Sequence, residues 1–230
     1  MLRFTKENYA ALKDQHISQI IFSISQISAL LFCAFVTLKN KDKKLRLLLI
    51  LLTGSFIQSS FQFFYRNDYL IELSISSYIL LEFIIHSSII NNFINKEHKK
   101  ISSYLIYCFI LLALSIIIFN LNNIRFNIFL SCFPSIYIII FGIIAIKNLI
   151  NDKEFDLLFS FEFWIIYCFI FIHLCSLPIE IIEKYFLNKT FIKAKIIWVK
   201  AHQYTYAFYH SIIIYSLVWA KRNSILLRQL

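Results

Sequence analysis

Glycine and proline are nearly missing from this chain, with only Gly54, Gly142, Pro134 and Pro178 among 230 residues. So few glycines cannot supply the small-residue contacts that commonly organise membrane helices, so large side chains must interlock instead. Acidic residues are scarce as well, 13 against 23 lysines and arginines, for a formal net charge of +10. Long polar stretches do not occur. No connection between apolar runs exceeds about fifteen residues, which excludes an aqueous catalytic domain of ordinary size. The five cysteines, Cys33, Cys108, Cys132, Cys168 and Cys175, lie inside apolar runs and lack metal-type spacing. They read as small apolar filler, with no disulfide, metal or cofactor assigned.

What remains is apolar sequence, 59% hydrophobic and 18% aromatic residues. Runs near the roughly 20 residues a helix needs to cross a bilayer recur at 17–38, 45–65, 69–94, 101–120, 126–150, 157–182 and 197–220. Lipid cannot hydrogen-bond a backbone, and these runs lack the period-2 alternation of barrel strands, so they predict helices. The expected fold is an all-α membrane protein, a seven-transmembrane-helix bundle over 17–220. A polar, interfacial segment 1–16 precedes it and a basic tail 221–230 follows. Residues 1–16 carry scattered charge and no small-x-small cleavage pattern follows the first apolar run, so no removable signal peptide is expected. No internal repeat of the transporter kind is visible. Pro134 and Pro178 each fall inside a span, where a kink or frayed end is expected.

Basic residues set the expected orientation. One side carries Lys39, Lys41, Lys43, Lys44, Arg46, Lys96, Lys99, Lys100, Lys147, Lys153, Lys221, Arg222 and Arg228, thirteen in all, against nine on the other. This bias predicts an outside N-terminus and a cytoplasmic C-terminus, in a bacterial inner membrane crossed several times.

Ionisable residues inside the spans are costly, so they should face the bundle interior or water. At about 100° per residue, Glu162, His173 and Glu180 fall on one face of the sixth run, with Ser176 beside them. The two carboxylates stand roughly 27 Å apart along it. On the third run Glu82 and His86 are an i,i+4 pair, with Tyr78 and Glu72 in the same sector and Ile75 interrupting it. On the seventh, Lys200, Gln203, Tyr206 and His210 share a face. Matching depths suggest cross-helix pairs Glu82–His210 and Glu180–Lys200. These residues form either a buried polar network fixing helix register or the lining of a hydrated path.

No HExxH or HxxxH pattern occurs, and His202 and His210 lie about 12 Å apart along their helix. Both facts weigh against a metal-dependent intramembrane hydrolase. A retinal protein would need a lysine near the middle of the last helix, and Lys200 is too close to its end. An intramembrane enzyme acting on lipid and a seven-helix sensor or receptor remain the alternatives, since helix count alone carries no function. The cluster Lys39, Lys41, Lys43, Lys44 and Arg46, with Lys96, Lys99, Lys100, Lys221 and Arg222, concentrates positive charge at one face. Such charge ordinarily signals topology and attracts lipid headgroups. It would equally bind the phosphates of a nucleotide or oligonucleotide.

The layout resembles compact seven-helix membrane proteins of AT-rich bacteria. The third run contains Ser77-Tyr78-Ile79-Leu80-Leu81-Glu82-Phe83 and the sixth Phe161-Glu162-Phe163-Trp164-Ile165-Ile166-Tyr167. The seventh contains Tyr209-His210-Ser211 and passes through Trp219-Ala220 into the basic Lys221-Arg222. In these features the chain is similar to the membrane effectors of Hailong anti-phage systems. That resemblance implies a homo-oligomeric ion channel whose opening depolarises the infected cell. It also implies a nucleotidyltransferase partner whose short single-stranded DNA messenger controls the channel.

Overall fold

The computed structural model describes the backbone of residues 6–40, 42–64, 68–118, 124–152, 160–186 and 192–226. Side-chain surroundings are described for 17–40, 42–61, 70, 73–116, 130, 132–151, 160–178, 181 and 199–220. The described elements are α1 (Lys6–Lys39), α2 (Lys43–Phe64), α3 (Asp68–Ile90), α4 (Lys96–Ile118), α5 (Ile124–Asp152), α6 (Phe161–Phe186) and α7 (Ile192–Leu226). A 3-10 turn, Asn91–Phe93, follows α3. Among the described residues there is no strand.

Helices α1 to α6 each contain a segment long and apolar enough to cross a membrane, so this is a multi-pass membrane protein. Helix α7 falls short by that measure, because Lys200, His202, Gln203 and His210 interrupt its apolar run. It is nevertheless 35 residues long, about 52 Å at 1.5 Å per residue. It lies against α1 and α6.

Short connections reverse the chain at each step. Gln26 Nε2 donates to Ser55 Oγ at 2.8 Å and Ser59 Oγ at 3.2 Å across antiparallel α1 and α2. Trp164 meets Tyr215 and Phe171 meets Phe208 across antiparallel α6 and α7. Helices α1 and α7 run parallel: Ser18 bonds Gln203 and Ser25 bonds His210, seven residues further along both helices. Packing closes a ring in the order α1, α2, α3, α5, α6, α7 and back to α1, while α3 also touches α6 across it. Helix α4 stands outside, against α3 and α5. It is held there by Phe109, which stacks on Phe133 at 4.8 Å and meets Phe83 at 4.6 Å. Ser102 ties it further to Asn91 and Tyr137.

The start of α2, the turn after α3 and the start of α6 share one end of the bundle, the loop end, where Lys44 reaches both Phe93 and Glu162. Its helix starts are capped by local polar groups. Asp42 Oδ1 accepts from Lys44 N at 2.8 Å to open α2, and Ser160 Oγ accepts from Phe163 N at 3.3 Å to open α6.

Both glycines do sit at helix contacts. Gly54 faces Leu81 and Tyr78 of α3, and Gly142 faces Ile170 and Ile166 of α6. Large side chains such as Phe83, Phe169, Ile138, Ile165, Ile166 and Ile213, none more than 1% exposed, fill much of the interior, with Ala29, Ala145, Cys33 and Cys168 buried among them. Helix α5 continues through Pro134 and α6 through Pro178.

Candidate functional site

Helix α3 carries His86 and α6 carries His173 to the middle of the ring. His86 Nδ1 and His173 Nε2 are 3.1 Å apart, and the two rings meet edge to face at 89°. The other nitrogen of each ring is also occupied: His173 Nδ1 lies 3.0 Å from Ser135 Oγ of α5, and His86 Nε2 lies 3.4 Å from the Tyr209 hydroxyl of α7. One hydrogen-bonded chain, Ser135–His173–His86–Tyr209, therefore joins four helices, with no member more than 6% exposed. A neutral imidazole has one N–H donor and one acceptor nitrogen, so the chain has two self-consistent polarities, donating either from Ser135 toward Tyr209 or the reverse. Phe169 stacks on the His86 ring with centroids 3.8 Å apart and fixes its plane.

A cavity of about 20 Å³ adjoins this chain, lined by Ile79, Glu82, Pro134, Ser135, His173, Ser176 and Tyr206. Its size suits one or two waters, and its lining offers the polar partners a buried water needs. Glu82 is 6% exposed and lies within electrostatic reach of Tyr78 and Tyr209. Tyr78 in turn hydrogen-bonds Ser55 of α2. All of this lies on the side of the histidine pair away from the loop end.

Toward the loop end the interior turns apolar. Phe169, Ile166, Ile165 and Ile213 are all 0% exposed. The seven residues from Phe169 to Glu162 span about 10 Å of α6. Beyond this plug Glu162 reappears in a different setting. Its Oε1 pairs with Lys44 Nζ at 3.0 Å and its Oε2 accepts from Ser160 Oγ at 3.1 Å. Lys44 Nζ also sits 4.9 Å from the centre of the Phe93 ring, so this cation joins the start of α2, the turn after α3 and the start of α6. Asn148 of α5 donates to the Phe93 carbonyl at 2.9 Å and completes the arrangement.

The polar residues expected on three helix faces are thus divided. Glu82, His86, His173 and Tyr206 gather at the central chain and cavity. Glu162 belongs to the ion pair at the loop end, and the α6 face between it and His173 is closed by apolar side chains, not continuous. His210 turns toward α1: its Nδ1 is 3.2 Å from Ser25 Oγ, its ring lies against Phe22, and its Nε2 has no hydrogen-bond partner among the described residues. Gln203 bonds Ser18, and Lys200, one turn before it, is half-buried. The side chains of Glu72 and Glu180 lie outside the described residues, and with Glu180 the proposed Glu180–Lys200 pair.

The expected phosphate-binding set divides too. Lys43, Arg46, Lys96, Lys99 and Lys100 are exposed, and exposed Lys39 lies over the Phe35 ring at 4.3 Å. Lys44 is committed to Glu162. Lys41 and the side chains of Lys221 and Arg222 lie outside the described residues. Ser18, Ser25, Gln26, Ser55, Ser135 and Tyr209 were not among the residues expected from sequence. The matched seven-residue steps of Ser18/Ser25 and Gln203/His210 were the available signal for two of them.

The cysteines form no disulfide among the described residues. Cys168 Sγ donates to the Tyr209 carbonyl at 3.4 Å and Cys33 Sγ lies 3.9 Å from the Leu45 carbonyl. No group of three His, Cys, Asp or Glu side chains that could hold a metal occurs among the described residues. No protein-family model, curated protein or solved structure matches the chain.

Proposed function

We propose that this chain crosses a bacterial inner membrane seven times, N-terminus outside, and assembles as a homo-oligomeric ion channel of anti-phage defence. A nucleotide or short single-stranded DNA messenger, made by a nucleotidyltransferase partner, gates it from the cytoplasmic side. Counting α7 as the seventh crossing follows from its length and from its polar side chains turning inward, where α1 and α6 cover them. The pore is placed between subunits in this reading, since the cavity beside the histidine pair, about 20 Å³, has no room for a hydrated metal ion or chloride.

The observation that carries the gating part is the Lys44–Glu162 ion pair. It joins the basic end, where exposed Lys43, Arg46, Lys96, Lys99 and Lys100 offer phosphate contacts, to α6, the helix that carries His173. A phosphate arriving at this end competes with Glu162 for Lys44, and releasing the start of α6 is a direct way to move that helix. The pair is about a quarter exposed on both sides, so its net contribution is small, about 1 kcal/mol or less. Binding of one or two phosphates is enough to offset it.

Filter binding of a short single-stranded oligodeoxynucleotide to the purified protein tests the ligand site. Affinity should fall with salt, with a logarithmic slope of about 0.7 per phosphate neutralised. A Lys43/Arg46/Lys99 triple alanine variant should bind more weakly and with a shallower slope. Equal affinity in both proteins, or none in either, returns these residues to topology and lipid contact.

A further inference from the structure

We infer that the cavity lined by Glu82 and Ser135 is a binding site for one dehydrated sodium ion. The site lies within a single chain, so it needs no particular assembly and goes beyond the messenger-gated pore between subunits.

The lining selects the ligand. Glu82 brings a carboxylate, and Ser135, Ser176 and Tyr206 bring hydroxyl oxygens, so four helices contribute. Helix α5 supplies one oxygen more: Pro134, also in the wall, has no N–H for the Leu130 carbonyl that the helix points toward it. His173 adds no ligand, because both its nitrogens are already bonded, one to Ser135 and one to His86. An oxygen set of this kind suits a hard cation and offers no thiolate or free imidazole nitrogen for zinc or copper. One carboxylate balances one positive charge, whereas calcium is held by more oxygens and more charge, and magnesium sheds its waters reluctantly. A volume of about 20 Å³ admits one or two water-sized particles, so the ion exchanges its hydration shell for these oxygens and at most one water. Glu82 is only 6% exposed, and the cost of a carboxylate inside a membrane span is offset by a cation beside it.

The hydrogen-bonded chain of the two histidines closes on the same place. It starts at Ser135 in the cavity wall and ends at Tyr209, which lies within electrostatic reach of Glu82 and Tyr206. A cation in the cavity draws the Ser135 lone pairs toward itself, which leaves the Ser135 hydroxyl to donate to His173 Nδ1. Of the two polarities open to the chain, only donation from Ser135 toward Tyr209 then remains. Sodium thereby fixes both rings in the tautomer that carries its proton on Nε2, and the network surrounds one ion.

The test is thermal unfolding of the full-length protein in detergent, exchanged into choline chloride and titrated with sodium chloride at constant ionic strength. Wild-type Tm should rise with sodium and approach a constant increment per tenfold increase, the behaviour of one ligand bound to the folded state. Potassium, whose oxygen contacts are longer, should raise it less. Glu82→Gln removes the charge and should abolish the sodium dependence. Ser176→Ala removes one oxygen and keeps the packing, so it decides the matter should Glu82→Gln fail to fold. It should move the sodium midpoint up by about tenfold, the scale of one contact to a charged group. A wild-type Tm that is the same in sodium as in choline or potassium, or a sodium response unchanged in Ser176→Ala, overturns the site and leaves a cavity that holds water. No oligodeoxynucleotide and no current enters these measurements, so failure here is distinguishable from failure of the channel reading.

Discussion

Replacing Gly142 with alanine would place a Cβ 2.7 Å from Ile170 Cγ1 and 3.0 Å from its Cδ1. The nearer atom is mid-chain on a β-branched residue only 8% exposed, in a tightly packed α5–α6 contact. It cannot rotate away without moving the helix. Overpacking of this kind costs about 1–3 kcal/mol, while removing glycine from a helix interior returns about 0.5–1 kcal/mol. The net expectation is destabilisation by about 1 kcal/mol, the difference of those two terms. Gly54 supplies the internal control. Its added Cβ would meet Leu81 Cδ2 at 2.8 Å, but that atom is the free end of a flexible, half-buried side chain. Rotation of Leu81 relieves the clash, and Gly54→Ala should be neutral or stabilising by up to about 1 kcal/mol. Titration of the purified variants with denaturing detergent, followed by tryptophan fluorescence, measures both. Gly142→Ala as stable as Gly54→Ala, or more so, would refute the α5–α6 packing described.

Glu162→Gln should leave the fold nearly as stable, within about 1 kcal/mol by differential scanning fluorimetry in detergent, since a pair about a quarter exposed on each side contributes little. The same change frees Lys44 from its carboxylate. Oligodeoxynucleotide affinity in filter binding should then rise, and an unchanged affinity would separate Lys44 from the ligand site.

The helices were legible because 20-residue apolar runs have few alternatives in a bilayer, and six of the seven expected spans overlap helices that meet the membrane criterion. The seventh is helical but too polar to meet it, which is what a helix with an interior polar face looks like. The helical angle of about 100° per residue placed His86 and Glu82 on one face of α3 and His173 inside α6. It did not show which helix each face meets. Matching Glu82 to His210 by depth left open which way His210 turns about its own helix. The ring does set α7 across from α3, where Tyr209 meets His86, but His210 lies on the α1 side of α7 and meets Ser25. Ser135 and Tyr209 were overlooked because serine and tyrosine in a span carry no charge cost to flag them. Glu162 looked like the end of a stripe because periodicity is blind to the four apolar rings and side chains that fill the gap. The capping serine at 160 and the lysine at 44 mark it as a helix-end residue.

Planar-bilayer recording of the purified protein, with a short single-stranded oligodeoxynucleotide added on the side of Lys43, Arg46 and Lys99, tests the proposed function most directly. Discrete current steps that the oligodeoxynucleotide switches on or off, and that the triple alanine variant no longer switches, are the predicted result. A bilayer that stays silent at every voltage, with and without the oligodeoxynucleotide, would contradict it.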